Sequence, residues 1–461
     1  MRFSERVIQQ RQYRSKRFHL SPSQILLLGF MGLILAGAGL LTLPVATAQG
    51  ESTGFFTALF TATSASCVTG LTMVDLSNTY SMMGQIVIVV LVQVGGLGVM
   101  TASTILYFVL GKRISLKNRL NLSEAFNQDS ISGVVRLAKN ALLFTFVLEA
   151  TGTIILSVRL FPTYGSNAIW QGVFLSVCAF CNAGFDLLRG TDSLVALQND
   201  PVILHTIAAL IVLGGLGFFV LYDILHSRKI AKWSLHTKLV ICTTLFLILT
   251  SALAFWLFEN QNAQTMGAMN WTSKINNAYF QAVSLRTAGF ASMNQGDLTP
   301  ASLLLGIVLM LIGASPASTG GGMKTTTFAL MVLMIHSVLK NKKDVEFLNR
   351  RIAEDLFRKA TMVVTLFLSI FIFTAMLICA IENASGAPIG LDAACYETAS
   401  AVGTVGFTLG ATPQLHHISQ FLLILCMYLG RLGPLTLLVG LQNKRDAISS
   451  IHLPEERVMI G

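Results

Sequence analysis

The chain has 461 residues, 53% of them hydrophobic and only 12% charged, with a formal net charge of +10. A soluble domain carries about 25% charged residues, so the composition excludes an ordinary soluble fold. The positive charge suggests nucleic acid, but its placement along the chain argues against that partner.

The apolar residues lie in long runs, and a membrane-crossing helix needs about 20 of them. Residues 26–43 form the first run, 86–110 the second and 421–441 the last; eight in all are centred near residues 34, 95, 148, 212, 248, 309, 370 and 430. Basic groups fall before the first run and after every second one, at 2–17, 112–139, 228–238 and 340–359, then at Lys444, Arg445 and Arg457. The opposite loops lean acidic, with Glu51, Asp75, Asp186, Asp192, Asp200, Asp297, Glu382, Asp392 and Glu397. This is the positive-inside pattern of a multi-pass protein of the cell membrane with both termini cytoplasmic. The basic loops are then topology signals and contacts for anionic lipid, with no nucleic acid. The long basic stretch before the first run, with no small-residue site after it, predicts no cleavable signal. Cys178-Ala-Phe-Cys181 has CxxC spacing but no βαβ context, so neither redox chemistry nor a transition metal is expected.

Between the two spans of each pair lies a shorter segment that ends at a glycine: FTATSASCVTGL from Phe60, FLSVCAFCNAGF from Phe174, YFQAVSLRTAGF from Tyr279 and YETASAVGTVGF from Tyr396. Aligned on Gly70, Gly184, Gly289 and Gly406, each has an aromatic ten residues earlier, a small residue five earlier (Ala65, Ala179, Ser284, Ala401) and a bulky apolar residue next (Leu71, Phe185, Phe290, Phe407). The second spans match too. Gly95-Gly96-Leu97-Gly98, Gly214-Gly215-Leu216-Gly217 and Gly430-Arg431-Leu432-Gly433 follow their glycines by 24 to 30 residues, and Gly313-Ala314-Ser315-Pro316 holds that place in the third unit. The expected fold is an all-α polytopic membrane protein of four span–pore-loop–span repeats, eight transmembrane helices plus four re-entrant helices around one pseudo-fourfold pore. The boundaries read as 1–20 (N-terminal segment), 21–112, 113–228, 229–345 and 346–443 (the repeats) and 444–461 (the tail).

Re-entrant backbone at membrane depth must be buried in protein or line a water-filled cavity. Four copies around an axis aim the negative C-terminal ends of four short helices at one centre, which favours a cation there. Extended residues beyond each helix then offer carbonyls in place of the hydration shell. The candidate filter strands are Val68-Thr69-Gly70, Asn182-Ala183-Gly184, Thr287-Ala288-Gly289 and Thr404-Val405-Gly406. The last matches the start of the TVGYG filter loop of potassium channels; the others match only at glycine.

These four segments, SLRTAGF around Arg286 and IGASPASTGGGMKTTTF from Ile312 make residues 20–445 resemble the Trk, Ktr and HKT potassium transporters. The likeness is greatest to the Ktr-type (KtrB-like) membrane subunit, because the first 20 residues leave no room for the two extra spans of the Trk type. The resemblance implies potassium uptake with one glycine per repeat binding K+, sodium stimulation, a homodimer, and a cytoplasmic nucleotide-binding RCK-type (KtrA-like) ring. Relatives that transport sodium carry serine in the first repeat; Gly70 there points to potassium. A sodium or unselective cation transporter of the same architecture stays open as the alternative. The chain shows no HExxH, GxSxG or paired intramembrane aspartates, so an embedded enzyme is not expected. Its loops are too short for a nucleotide-binding domain, so such control comes from another chain, touching 111–135, 340–359 and the tail.

The third unit's second span is interrupted by Gly313-Ala314-Ser315-Pro316-Ala317-Ser318-Thr319-Gly320-Gly321-Gly322-Met323-Lys324. Proline and three glycines disfavour helix, so an irregular loop is expected. A Walker A reading fails, since Met323 stands where that motif needs glycine. In the resembling family this loop lies under the filter and gates it, with Ser315, Ser318 and Thr319 placed to bond its backbone. Arg431, mid-span, is expected in the pore beneath the filter, pinning the loop, because an intramembrane charge is costly and functional by default. Arg286 is expected to brace the filter, paired with Glu397 or Asp392. For Glu149, mid-run in the third span, a structural bond and an ion role are equally expected.

Overall fold

The computed structural model describes residues 22–98, 134–188, 193–227, 229–342, 344–434 and 436. The N-terminal segment, most of the basic stretch after the second run, Asp192 and the C-terminal tail lie outside the described residues, and with them the partner surfaces expected at 111–135 and in the tail.

Repeat one is α1 (Pro22–Thr42), the re-entrant α2 (Phe55–Ser66) and α3 (Met82–Leu97). Repeat two is α4 (Val134–Tyr164), re-entrant α5 (Asn167–Phe180), and the pair α6 (Pro201–Leu216) and α7 (Phe218–His226). Repeat three is α8 (Leu235–Glu259), re-entrant α9 (Trp271–Ser284), α10 (Pro300–Leu311) and α11 (Thr325–Leu339). Repeat four is α12 (Glu354–Ala384), re-entrant α13 (Leu391–Gly403) and α14 (His417–Leu432). The first helix of every repeat is long and apolar enough to cross a membrane. These helices carry the exposed apolar side chains, such as Leu35, Val158, Leu249 and Phe373, that face lipid.

The second helices start at polar caps. Asp200 Oδ1 accepts from the N–H groups of Val202 (3.0 Å) and Ile203 (3.3 Å) ahead of α6, and Thr299 Oγ1 accepts from Ser302 N ahead of α10. In both, proline follows the cap, where its missing N–H costs nothing. The sequence predicts one broken second span, in repeat three; the structure breaks that of repeat two as well, and the second helices of repeats one and four end at matching glycines. The helix stops at Leu97, Leu216 and Leu432, each followed by a glycine of positive φ: Gly98 (84°), Gly217 (95°) and Gly433 (80°). At Gly217 the chain turns by 95° between α6 and α7. The last glycine of each GGLG-type motif is thus a helix C-cap in the region closed to most side chains, and hydropathy alone ran through it. The first glycine has another task. A Cβ at Gly95, Gly214 or Gly430 would strike the carbonyl of Ser66, Phe180 or Val402, so these glycines let each second span lie against the end of its own re-entrant helix.

The repeats close into a ring. The second span of each packs on the re-entrant helix of the next: α3 on α5, α6 on α9, α10 on α13, and α14 back on α2. The buried apolar residues gather in the seams between repeats, with Phe60, Phe174 and Tyr396, the aromatics of the sequence motif, fully buried. Between α11 and α12 a two-stranded hairpin, Glu346–Phe347 with Arg350–Arg351, projects in the basic 340–359 region, held by the Arg351–Asp344 ion pair at 2.9 Å.

A candidate ion pathway: the glycine ring and the loop beneath it

Each re-entrant helix ends in a turn that ties its triplet down. The N–H of the middle residue bonds a carbonyl of the helix behind it: Thr69 to Ser64 (2.8 Å), Ala183 to Cys178 (2.7 Å), Ala288 to Ser284 (2.9 Å) and Val405 to Ser400 (2.8 Å). Side chains add to this. Ser64 Oγ and Ser400 Oγ accept from the N–H of Gly70 and Gly406, both at 3.0 Å. Ser284 Oγ donates to the Phe290 carbonyl at 2.7 Å, and Cys178 bonds the backbone of Phe185. With donors turned back toward the helices, carbonyls are left for the axis. Ser64 and Ser400 escaped the sequence reading, although both stand six residues before their glycine.

The triplets are not the extended strands expected. Val68, Asn182, Thr287 and Thr404 have φ of 58°, 60°, 64° and 51°, and the four glycines lie between 69° and 101°. An extended strand sends successive carbonyls to opposite sides; alternating the sign of φ lets them share one. Positive φ in β-branched Val68, Thr287 and Thr404 costs about 1–3 kcal/mol each and persists only where the surroundings impose it.

The four glycines meet in order. A Cβ on Gly70 would come within 2.5 Å of the Ala183 carbonyl oxygen and one on Gly184 within 2.6 Å of that of Ala288; one on Gly289 would strike the Val405 carbonyl, and one on Gly406 the Thr69 carbonyl. Each glycine lies against its successor, and the fourth returns to the first. The ring floors a cavity of about 540 Å³ that Thr72, Asp75, Asp186, Gln295 and Gln414 also line.

On the other side lies residues 312–324, between α10 and α11. The loop folds on itself through Gly313 N to Met323 O (2.7 Å), the Ser315–Thr325 hydroxyl pair (2.9 Å), Ser318 Oγ to Ser315 O (2.6 Å) and Lys324 Nζ to Gly320 O (2.9 Å). It is held by other repeats through Ser315 N to Gly215 O (3.0 Å), Thr319 N to Gly214 O (3.2 Å), Gly322 N to Gly430 O (3.2 Å) and Phe218 N to Ala317 O (2.9 Å). A Cβ on Gly320 or Gly321 would strike Thr287 Oγ1 or Thr404 Oγ1, so the loop's glycines lie against the first residues of two triplets. Arg431 joins three repeats: its guanidinium donates to the Thr319 carbonyl in the loop and to the carbonyls of Gly95 and Gly96 (the last at 2.8 Å) at the end of α3.

Two expectations fare differently. Among the described residues Arg286 pairs with neither Glu397 nor Asp392: it donates to Thr244 Oγ1 at 3.4 Å, and its Nε has no partner. Glu397 points instead to the segment after its own repeat's glycine, accepting from Thr408 Oγ1 (2.6 Å), Leu409 N (2.9 Å) and Thr412 Oγ1 (2.5 Å). Arg286 follows the C-terminal end of α9 in the chain. Glu149 makes the structural bond, accepting from Gln93 Nε2 of α3 at 3.2 Å and from the Cys181 thiol at 3.9 Å. All seven cysteines are free.

With the ring and loop in place, the comparisons with known proteins take on a structural meaning. The family described as "TrkH: Cation transport protein" matches residues 32–450. The chain belongs to that family. It is 38% identical over 447 residues to the potassium/sodium uptake protein NtpJ of Enterococcus hirae, covering 96% of this chain and 98% of that one. It is also 38% identical over 452 residues to the Ktr system potassium uptake protein B of Bacillus subtilis, with 97% and 98% covered. The crystal structure of the potassium transporter TrkH from Vibrio parahaemolyticus superposes with a TM-score of 0.71 at 19% identity, over 93% of this chain and 86% of that one, and so shares the fold. This family member is a membrane transporter of cations, not an enzyme.

Proposed function

We propose that the chain carries potassium into the cell through the four-glycine ring, with Val68, Thr69, Asn182, Ala183, Thr287, Ala288, Thr404 and Val405 completing the filter. The observation that carries this reading is the closed succession of the four glycines at the floor of a cavity bearing Asp75 and Asp186. Carbonyls fixed around an axis replace the water of a bare monovalent cation. The loop from Gly313 to Lys324, pinned by Arg431, is the gate. Na+ is the stimulating ion. The names of the B. subtilis relatives, proteins of a Ktr system, support a partner chain, here a cytoplasmic nucleotide-binding subunit beneath a homodimer.

The test is growth of a bacterium lacking its own potassium uptake, on low potassium, with such a subunit co-expressed. Wild type is expected to restore growth, and Gly70→Ser, whose Cβ meets the Ala183 carbonyl, to weaken it or admit sodium. An inserted, partnered protein that restores nothing sinks the potassium reading. The E. hirae relative is named for both ions, and liposomes that took up sodium as fast as potassium would favour the sodium or unselective alternative.

The cavity wall adds a pH dependence. Burial pushes the half-buried Asp186 carboxyl up from 3.8 to about 6; the Ser193 hydroxyl and Leu188 N–H oppose that rise and Asp75 adds to it. The group is charged above about 6 and neutral below, so acidification removes a negative charge that attracts cations. At subsaturating potassium, lowering the pH on the cavity side from about 7.5 to about 5 is expected to slow uptake about two- to fourfold. Asp186→Asn should flatten the profile; an unaltered profile in that variant assigns the titration elsewhere.

A further inference from the structure

We propose that the side chain of Asn182, beyond the backbone of its triplet, is the link that makes ion selection at the ring depend on the position of the loop. The inference rests on the filter and gate reading above and names the residue that couples the two.

Among the first residues of the triplets, Val68, Asn182, Thr287 and Thr404, only Asn182 carries an amide, whose donor and acceptor sit on separate atoms and can face two different partners at once. It is fully buried, at a φ of 60° that asparagine tolerates better than most residues. Its Oδ1 accepts from the loop's Thr319 hydroxyl at 3.2 Å, and its Nδ2 donates to the Arg286 carbonyl and to Thr287 Oγ1 of the next triplet, both at 3.4 Å. The carbonyl of Arg286 can only accept, which fixes the amide with Nδ2 toward the ring and Oδ1 toward the loop. The single proton of the Thr319 hydroxyl is shared between Asn182 Oδ1 and the Phe180 carbonyl at the end of α5, at 3.0 Å. One hydroxyl therefore touches both the end of a re-entrant helix and the residue that opens its triplet.

The loop lies against two other triplets without such a bond. Gly321 abuts Thr404, whose Oγ1 is buried without a partner among the described residues, and Gly320 abuts Thr287. Val68 has no polar atom to offer. When the loop withdraws, Thr319 leaves with it, and Oδ1 of Asn182 loses its donor. A buried polar group left unpaired is costly, so the amide re-aims toward the open pathway, and its hold on Arg286 O and Thr287 loosens. The carbonyls of repeats two and three then sit differently in the open and closed states. By linkage the effect is reciprocal: an ion that fits the closed-state ring better also favours the seated loop.

The test uses the full chain in liposomes, measuring potassium and sodium flux separately without a regulatory subunit. Thr319→Val removes only the hydroxyl, and Thr319→Ser keeps it. Asn182→Val places there the residue that repeat one already holds at the same φ (Val68, 58°). Thr319→Val is expected to raise total flux and to lower the potassium-to-sodium ratio, each about fivefold or more, a normal size for coupling between sites. Thr319→Ser, as the conservative variant, should bring flux and ratio back from the Thr319→Val values toward those of wild type, and Asn182→Val combined with Thr319→Val should lower the ratio no further than either alone. A Thr319→Val protein with raised flux and an unchanged ratio overturns the link, as do ratio effects that multiply in the double variant. If Asn182→Val does not fold, the valine–serine contrast at position 319 decides alone. Deleting Gly320 to Gly322 tests the underlying gate separately: unchanged flux there overturns the gate, whereas raised flux beside an unchanged Thr319→Val ratio overturns only the link.

Discussion

Gly184→Ala is expected to abolish potassium uptake in a protein that still reaches the membrane. The alanine meets two penalties. At φ 69° an L side chain costs about 1–2 kcal/mol of backbone energy. Its Cβ would also stand 2.6 Å from the carbonyl oxygen of Ala288 and 3.1 Å from the Cα of Gly289, backbone atoms that cannot swing aside as a side-chain tip would. Relief comes only by moving the Ala288 carbonyl, one of those proposed to hold the ion. Because the ring is cyclic, that shift is passed to the contact of Gly289 with Val405 and onward. With each 1.4 kcal/mol worth tenfold, loss of a few kcal/mol of ion stabilisation lowers uptake on the order of 100-fold. The control is Gly39→Ala in α1, where a Cβ meets nothing within 4 Å among the described residues. There uptake should match wild type, since alanine favours a helix by about 1 kcal/mol over glycine. Uptake by Gly184→Ala within twofold of Gly39→Ala, at equal membrane amounts, would remove the ring from the pathway.

What the sequence made legible is what periodicity and special residues encode. Four glycines in register, with aromatics ten residues earlier, identified the re-entrant units, and Pro316 with Gly320 to Gly322 identified the interrupted span. Features that depend on which way a side chain leaves its helix stayed hidden. Glu397 was a reasonable partner for Arg286 by charge and proximity in the repeat scheme. The phase of α13 instead turns it to Thr408 and Thr412. Left-handed backbone at Val68 also escaped notice, because β-branched residues are those least expected there. It follows from packing that no single segment contains. The helix ends at Leu97 and Leu432 were hidden for a simpler reason: hydropathy does not register a helix end inside an apolar run.

Replacing Arg431 tests the opposite end of the pathway, where loss of an interaction should increase flux. Its guanidinium reaches the Thr319 carbonyl of the loop and the Gly95 and Gly96 carbonyls of α3. The α3 pair lies at the C-terminal end of the helix, where the Gly95 carbonyl also accepts from the cap Gly98 N–H at 3.3 Å and where a cation is favoured. Hydrogen bonds from a charged donor are worth about 1.5–3 kcal/mol each. Losing even about 2 kcal/mol of preference for the seated loop shifts the balance toward the open form about 30-fold. Arg431→Gln is therefore expected to raise potassium flux at least about tenfold in liposomes without a regulatory subunit, and to leave little for that subunit to add. Arg431→Lys separates the two ways the residue can act. A positive charge in the ion path repels cations whichever side chain carries it, but only the planar fork of arginine spans acceptors on two elements at once. The lysine variant should accordingly resemble glutamine, with raised flux. Flux as low as wild type in the lysine variant would make charge alone the barrier, and the loop would then need no pin from α14.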